Sequence, residues 1–262
     1  MAFAQIDFFS EYLRMQCCMN VILPQKINGY GVLPDKKATP PYPVLYLLHG
    51  TSQNHTDWMR FSSIERYVAK TGLVVVMPST LRAWYTNQKL GYPFFDFFTK
   101  ELPLLVKSFF NVSDKREDTF AAGLSMGGFG AFKLGLTYPE RFAAVASLSG
   151  SVDMCMVAEG SKYRSEKAKM YRYITFGSQE DMYGSETNTV GLAEQHLKNG
   201  TQLPKFYQCC GTEDWLLPVN RAFRDRFMGR LDLTYEEGPG GHKWDFWDKY
   251  IQKVIEWLPI QR

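Results

Sequence analysis

Ser125 sits between glycines in Gly123-Leu124-Ser125-Met126-Gly127, with Gly128 directly after it. A serine so placed can serve as a nucleophile, because small neighbours permit a sharp strand-to-helix turn that lifts the hydroxyl above a sheet edge. The three fixed positions alone arise by chance in roughly one chain in ten of this length, so the setting carries the weight. Asp118 to Ala122 reads as a strand running into the motif, and the stretch from Gly127 to Thr137 as a helix leaving it. That helix would point its positive end at the site and favour developing negative charge.

A serine hydroxyl is a weak nucleophile until a general base takes its proton. The chain has four histidines, His49, His55, His196 and His242. Around a turn of this kind the order along the chain is serine, acid, histidine, which removes His49 and His55 as the base. His196 falls in an irregular stretch. His242 follows the last strand in Gly238-Pro239-Gly240-Gly241-His242-Lys243, a loop able to reach back toward Ser125. The acid belongs just after an earlier strand, where Glu213 and Asp214 are both candidates; either could instead cap the helix starting near Pro218. Its task would be to hold the imidazole in the productive tautomer and stabilise its cation.

Acyl transfer also needs donors facing the oxyanion. One is the backbone N–H of Met126, directly after the nucleophile. The other is expected from the loop after an earlier strand, where His49-Gly50-Thr51 offers the Thr51 N–H. His49 is expected to stabilise that loop by hydrogen bonding. Trp58, Trp84, Tyr85 and Trp215 lie near these loops and are candidate pocket walls, with core packing the competing reading for each.

The rest of the chain supplies a frame for these residues. Ile6 to Leu13 and Met15 to Leu23 read as an antiparallel strand pair. Val44 to Gly50, Leu73 to Ser79, Asp118 to Ser125, Ala143 to Gly150, Phe206 to Gly211 and Leu233 to Gly238 read as strands, most of them apolar throughout, as strands buried on both faces are. Helices are expected over Asp57 to Lys70, Phe94 to Phe110, Gly127 to Thr137, Val219 to Met228 and Lys243 to Trp257. Alternation of this kind predicts an α/β chain with a mainly parallel sheet covered on both faces, in a single domain over 1–262. The rhythm breaks over 151–203, which reads equally as a cap inserted above the site or as a helix with a long surface loop.

Composition excludes several functions. Of 262 residues 45% are hydrophobic and 22% charged, and the formal net charge is +3. That is ordinary globular composition, without the basic stripe nucleic-acid binding needs and without an apolar run long enough to span a membrane. The N-terminus carries Asp7 and Glu11 within its apolar stretch and does not read as a signal peptide. The five cysteines (Cys17, Cys18, Cys155, Cys209 and Cys210) are odd in number and include two vicinal pairs, which suits buried thiols in a cytoplasmic protein better than disulfides or a metal site.

The chain resembles the esterase D-like family of α/β hydrolases, most closely its bacterial tributyrin-esterase branch. The segments YLLHG, HTDWMRFSSIERY, VVMPS, WYTN, FFDFFTKELP, GLSMGGFGAFKLGL, PERFAAVASLSG, CGTEDW and GPGGHKWDFWD carry the resemblance in order along nearly the whole sequence. It implies the α/β-hydrolase fold, Ser125 as nucleophile, Asp214 as acid, His242 as base, and oxyanion donors at Thr51 and Met126. One departure is Leu81-Arg82-Ala83 ahead of Trp84, where relatives often carry glycine and another polar residue. The expected activity is a serine carboxylesterase on short-chain acyl esters. Feruloylated or acetylated plant polysaccharides, thioesters such as S-formylglutathione, and acyl transfer are the alternatives. A small ester is the expected partner, with no metal or organic cofactor; a homo-oligomer is left open.

Overall fold

The apolar runs Val44–Leu48, Val74–Pro78, Thr119–Leu124 and Ala144–Leu148 form the buried parallel centre of a sheet, as strands β3, β4, β5 and β6. The computed structural model describes residues 1–25, 39–159 and 165–260. Strands β7 (Lys205–Gly211) and β8 (Leu233–Gly238) continue the parallel sheet on one side. On the other, β2 (Met15–Leu23) pairs antiparallel with β4, and β1 (Ala2–Ser10) antiparallel with β2. The order is β1-β2-β4-β3-β5-β6-β7-β8, and the fold is that of the α/β hydrolases.

Alternation along each strand divides the core into two layers. Tyr46, Leu48, Val76, Ala121 and Val145 face one side, against Phe129 and Phe132 of helix α5 (Met126–Thr137). Leu45, Leu47, Val75, Ala122 and Ala146 face the other, against Ile64 and the apolar face of the C-terminal helix Trp244–Trp257, which contributes Phe246, Tyr250, Ile251 and Val254.

Two helices depart from the continuous forms the sequence suggests. The stretch from Asp57 to Lys70 breaks into α1 (Asp57–Phe61) and α2 (Ile64–Val68), because Ser62 turns extended and bonds its hydroxyl to the Trp58 carbonyl at 2.5 Å. The stretch from Phe94 to Phe110 holds α3 (Phe94–Asp96), a π-helical turn over Phe97–Glu101, and α4 (Leu102–Phe109). Pro103 has no N–H to give the carbonyl four residues back. That carbonyl, on Thr99, accepts instead from Arg141 Nη1 at 2.7 Å. Within the same turn, buried Glu101 accepts from Ser10 Oγ (2.5 Å) and from the Glu11 and Tyr12 amides (2.7 and 3.3 Å), fastening the β1–β2 hairpin to the body.

Between β6 and β7 the chain forms α6 (Met154–Glu159), α7 (Glu166–Phe176), α8 (Gln179–Tyr183) and α9 (Thr189–Asn199). Ser165, Ser178 and Asn188 cap three of them with side-chain acceptors. The end of α7 is tied down by Lys89 N to Thr175 O (3.1 Å) and Leu90 N to Ile174 O (3.0 Å). Beneath these helices Lys133 of α5, wholly buried, holds Thr86 Oγ1 (2.8 Å) and Glu186 Oε1 (3.2 Å) and lies 4.1 Å from the centre of the Phe95 ring. Burial pushes the Lys133 ammonium down to about 8, against the pull of Glu186.

All five cysteines are free thiols. Burial, the largest cause at four of them, pushes Cys17 up to about 11 and Cys155 up to about 12, with Cys209 and Cys210 also raised. Cys18 is held at about 11 chiefly by its hydrogen bond to Asp7 (2.8 Å). Among the described residues no helix is long and apolar enough to cross a membrane.

Close approach fixes the glycines of the Ser125 turn. A Cβ on Gly123 would sit 2.5 Å from the Gly127 carbonyl, and one on Gly127 would run into the Leu48 carbonyl. Both obstacles are backbone, which cannot step aside as a flexible side chain can. Gly127→Ala is therefore expected to cost about 2 kcal/mol, read as a lower urea midpoint at unchanged m-value.

Candidate active site

Strand β5 ends at Leu124 and α5 begins at Met126, so Ser125 alone makes the turn, at φ 54° and ψ −115°. This is a strained conformation for a residue with a Cβ. It is held by Ser125 N to Leu148 O (2.9 Å) and Phe129 N to Ser125 O (3.2 Å). The hydroxyl reaches His242 Nε2 at 2.9 Å. On the far side of that ring, Nδ1 lies 2.8 Å from Asp214 Oδ2 and 3.1 Å from Oδ1. Asp214 is only 5% exposed and also accepts from the Leu216 amide at 2.9 Å.

Glu213, the other sequence candidate, points elsewhere. It bonds Thr212 Oγ1 at 2.6 Å and the Gly240 amide, and these two bonds lower its carboxyl below the usual range. Its backbone serves too, with Glu213 N to Gly240 O at 3.1 Å and Thr212 N to Gly238 O at 2.9 Å. Glu213 thus staples the loop after β7 to the loop after β8, fixing Asp214 and His242 relative to each other. Gly240 takes φ 139° there, open to glycine alone at little cost. Trp247 meets the His242 ring edge-on at 4.9 Å, and Trp215 lies tilted at 5.4 Å.

Gly50 N–H is taken by Gln53 Oε1 at 2.7 Å, and the next residue along, Thr51, lines the pocket. Met126, as the first residue of α5, has an N–H without an intrahelical partner. The loop carrying Thr51 is anchored by His49, which is 1% exposed. Nε2 accepts from Thr80 N at 2.9 Å, so Nδ1 carries the proton and donates to Gly50 O at 2.8 Å. Tyr85 Oη donates to His49 O at 2.9 Å. Burial pushes the His49 imidazole down to about 4 from 6.5. Because the folded value lies below the unfolded one, the unfolded chain binds the extra proton as pH falls through that window, and stability falls with it. Relative to His49→Gln, the wild type is expected to lose stability between about pH 6.5 and pH 4, at up to about 1.4 kcal/mol per pH unit. Chemical denaturation across that range measures the difference.

A cavity of about 500 Å³ opens above Ser125 and His242, walled by Trp84, Leu124, Tyr171, Trp215 and Trp247. Trp84 and Trp215 are thus where a pocket reading of the sequence puts them. Trp58 is not: it is 1% exposed and donates from Nε1 to Leu48 O at 3.1 Å, bracing strand β3 from within the core. His196 is also remote from the triad, bonded to Leu136 O at 2.7 Å. Sequence reading misses Trp247, Gln53, Tyr171 and Lys167. Trp247 carried a signal, since it lies in the first turn of the helix that follows His242 directly. The others follow only from tertiary contacts.

A hydroxyl, an imidazole and a buried carboxylate in series can shuttle one proton while the oxygen attacks a carbonyl. The comparisons with known proteins agree with that chemistry. The family model described as "Putative esterase" matches residues 21–257. An acetyl esterase of Caldicellulosiruptor saccharolyticus is 33% identical over 98% of each chain. Among solved structures, the fluorophosphonate-binding serine hydrolase F of Staphylococcus aureus, substrate bound, is 30% identical over 99% of each chain with a TM-score of 0.86. An S-formylglutathione hydrolase of the same organism is 30% identical over 98% of each chain, with a TM-score of 0.83.

Proposed function

The chain belongs to the esterase D-like family and is a carboxylic ester hydrolase, and from that premise we propose that it cleaves short-chain acyl esters through an acyl-enzyme on Ser125. The observation that carries the reading is the unbroken line from Ser125 Oγ through the His242 ring to Asp214, at 2.9 and 2.8 Å. Ser125 attacks the carbonyl as His242 Nε2 takes its proton, and the Thr51 and Met126 amides receive the oxyanion. Asp214 holds the Nδ1–H tautomer and stabilises the imidazolium without taking its proton. His242 then protonates the departing alcohol. Water, giving its proton to the same nitrogen, cleaves the acyl-enzyme, releases the acid and restores Ser125.

Support for the small acyl group comes from the relative that is an acetyl esterase. The helices over 151–203 act as a cap in this reading, since Ser165, Ala168 and Tyr171 wall the pocket from that side. Five unpaired thiols suit a reducing, cytoplasmic setting. The test is initial rates on p-nitrophenyl acetate, butyrate and octanoate, on tributyrin and on methyl ferulate. Rates falling from butyrate to octanoate support the assignment. A dominant ferulate rate would replace it with an aryl-ester substrate, and product diverted to an added alcohol would replace hydrolysis with acyl transfer.

A further inference from the structure

The strand order gives the pocket two chemically different ends. Loops after β4, β3, β5, β6, β7 and β8 follow one another along the sheet edge, so Arg82 and Trp84 lie on one side of Ser125 and His242 on the other, and α7, in the β6–β7 connection, reaches back across to Arg82 through Tyr171. The leaving group must lie on the side of His242, which protonates it. With the oxyanion turned to Thr51 and Met126, the remaining substituent of the carbonyl, the acyl chain, is directed toward Arg82.

That end is positively charged. Arg82 and Lys167 both line the pocket, and among the described residues no aspartate or glutamate does. Tyr171 places them. Its ring lies under the Arg82 guanidinium at 4.6 Å, and its hydroxyl donates to the Arg82 carbonyl. Lys167 is four residues earlier on α7, hence on the same helix face as Tyr171. Glu166, its sequence neighbour, is paired with Lys169 at 2.7 Å. A guanidinium stacked on an aromatic face keeps its N–H edges free for a carboxylate, which it binds in a two-pronged geometry.

Resting on the esterase reading above, we infer that the preferred acyl group carries its own carboxylate: the substrate is a half-ester of a short dicarboxylic acid, and Arg82 with Lys167 holds the free acid end. Hydrolysis then consumes one water and yields the dicarboxylic acid and the alcohol, with the chemistry at Ser125 unchanged.

The experiment measures kcat/KM for monomethyl succinate, glutarate and adipate, each against its dimethyl ester, in the wild type and in Arg82→Gln/Lys167→Gln. The monoester-to-diester ratio is expected to fall about tenfold in the double variant at the best chain length, the size of one partly exposed charge-assisted contact. In the wild type the same ratio should fall as ionic strength rises to about 0.5 M. An unchanged ratio at all three lengths overturns the inference. So does a fall confined to 4-acetoxybenzoate against its methyl ester, which would put the anion on the leaving group. Failure of the esterase reading is separate: no ester, charged or neutral, would then be hydrolysed, and a fluorophosphonate would not label Ser125.

Discussion

Ser125→Ala is expected to lower kcat on p-nitrophenyl butyrate roughly a hundred-thousand-fold while KM stays within a few-fold. The alanine variant keeps the cavity but has no oxygen at 2.9 Å from His242 Nε2, so no acyl-enzyme can form. Asp214→Asn should lose about ten-thousand-fold, because an amide facing Nδ1 no longer selects the tautomer that leaves Nε2 free to accept. A second replacement separates chemistry from fold. At φ 54° and ψ −115° the backbone of residue 125 favours glycine, so Ser125→Gly should be as inactive as the alanine variant yet more stable than the wild type by about 1 kcal/mol. Paired rate and urea-denaturation measurements check both statements. An alanine variant retaining more than a hundredth of wild-type kcat would remove Ser125 from the mechanism.

The second large effect lies beneath the helices between β6 and β7. Glu186→Leu leaves the Lys133 ammonium, 0% exposed, with Thr86 Oγ1 as its remaining hydrogen-bond partner among the described residues, and should cost about 3 kcal/mol at pH 7. Lys133→Met in the same background should return most of that, since an apolar side chain suits a site walled by Phe95 and Phe129. The ammonium already titrates lower in the fold than its ordinary 10.5, and losing Glu186 lowers it further. The unfolded chain then holds the extra proton across the interval, so the single variant should regain stability as pH rises from about 8 to about 10. The double variant should not share that rise. A Glu186→Leu protein as stable as the wild type at pH 7 would show that the Lys133–Glu186 pair does not anchor the helices between β6 and β7.

Much of this was legible in the sequence because local signals and tertiary structure agree. The strands Val44–Leu48, Val74–Pro78, Thr119–Leu124 and Ala144–Leu148 are apolar at every position or nearly so, and only a sheet covered on both faces buries them that way. Ser125 and His242 were readable from chain order and from glycines beside each. The choice between Asp214 and Glu213 was not readable from position alone. Both follow β7, and what separates them is that Glu213 finds Thr212 and Gly240 while Asp214 turns inward. For Trp58 the sequence left pocket wall and core packing open, and the structure gives core packing, with its indole in the layer beneath β3. The π-helical turn at Phe97–Glu101 had its cause in Pro103, yet the helical pattern around it is uninterrupted and conceals the extra residue. Lys133 carried no warning, because a lysine in a helix is ordinarily solvated.

The raised thiols turn the protein into a reporter of its own opening. Burial raises the Cys209 and Cys210 thiols and leaves them no solvent contact. Alkylating agents and peroxide should therefore pass these two thiols by in the folded chain and react with them as soon as β7 leaves the sheet. That strand delivers Asp214, so the rate at which iodoacetamide labels Cys209 and Cys210 clocks the same event that dismantles the proton relay. Followed by mass spectrometry under native conditions, the label would time the loss of the enzyme without any substrate present.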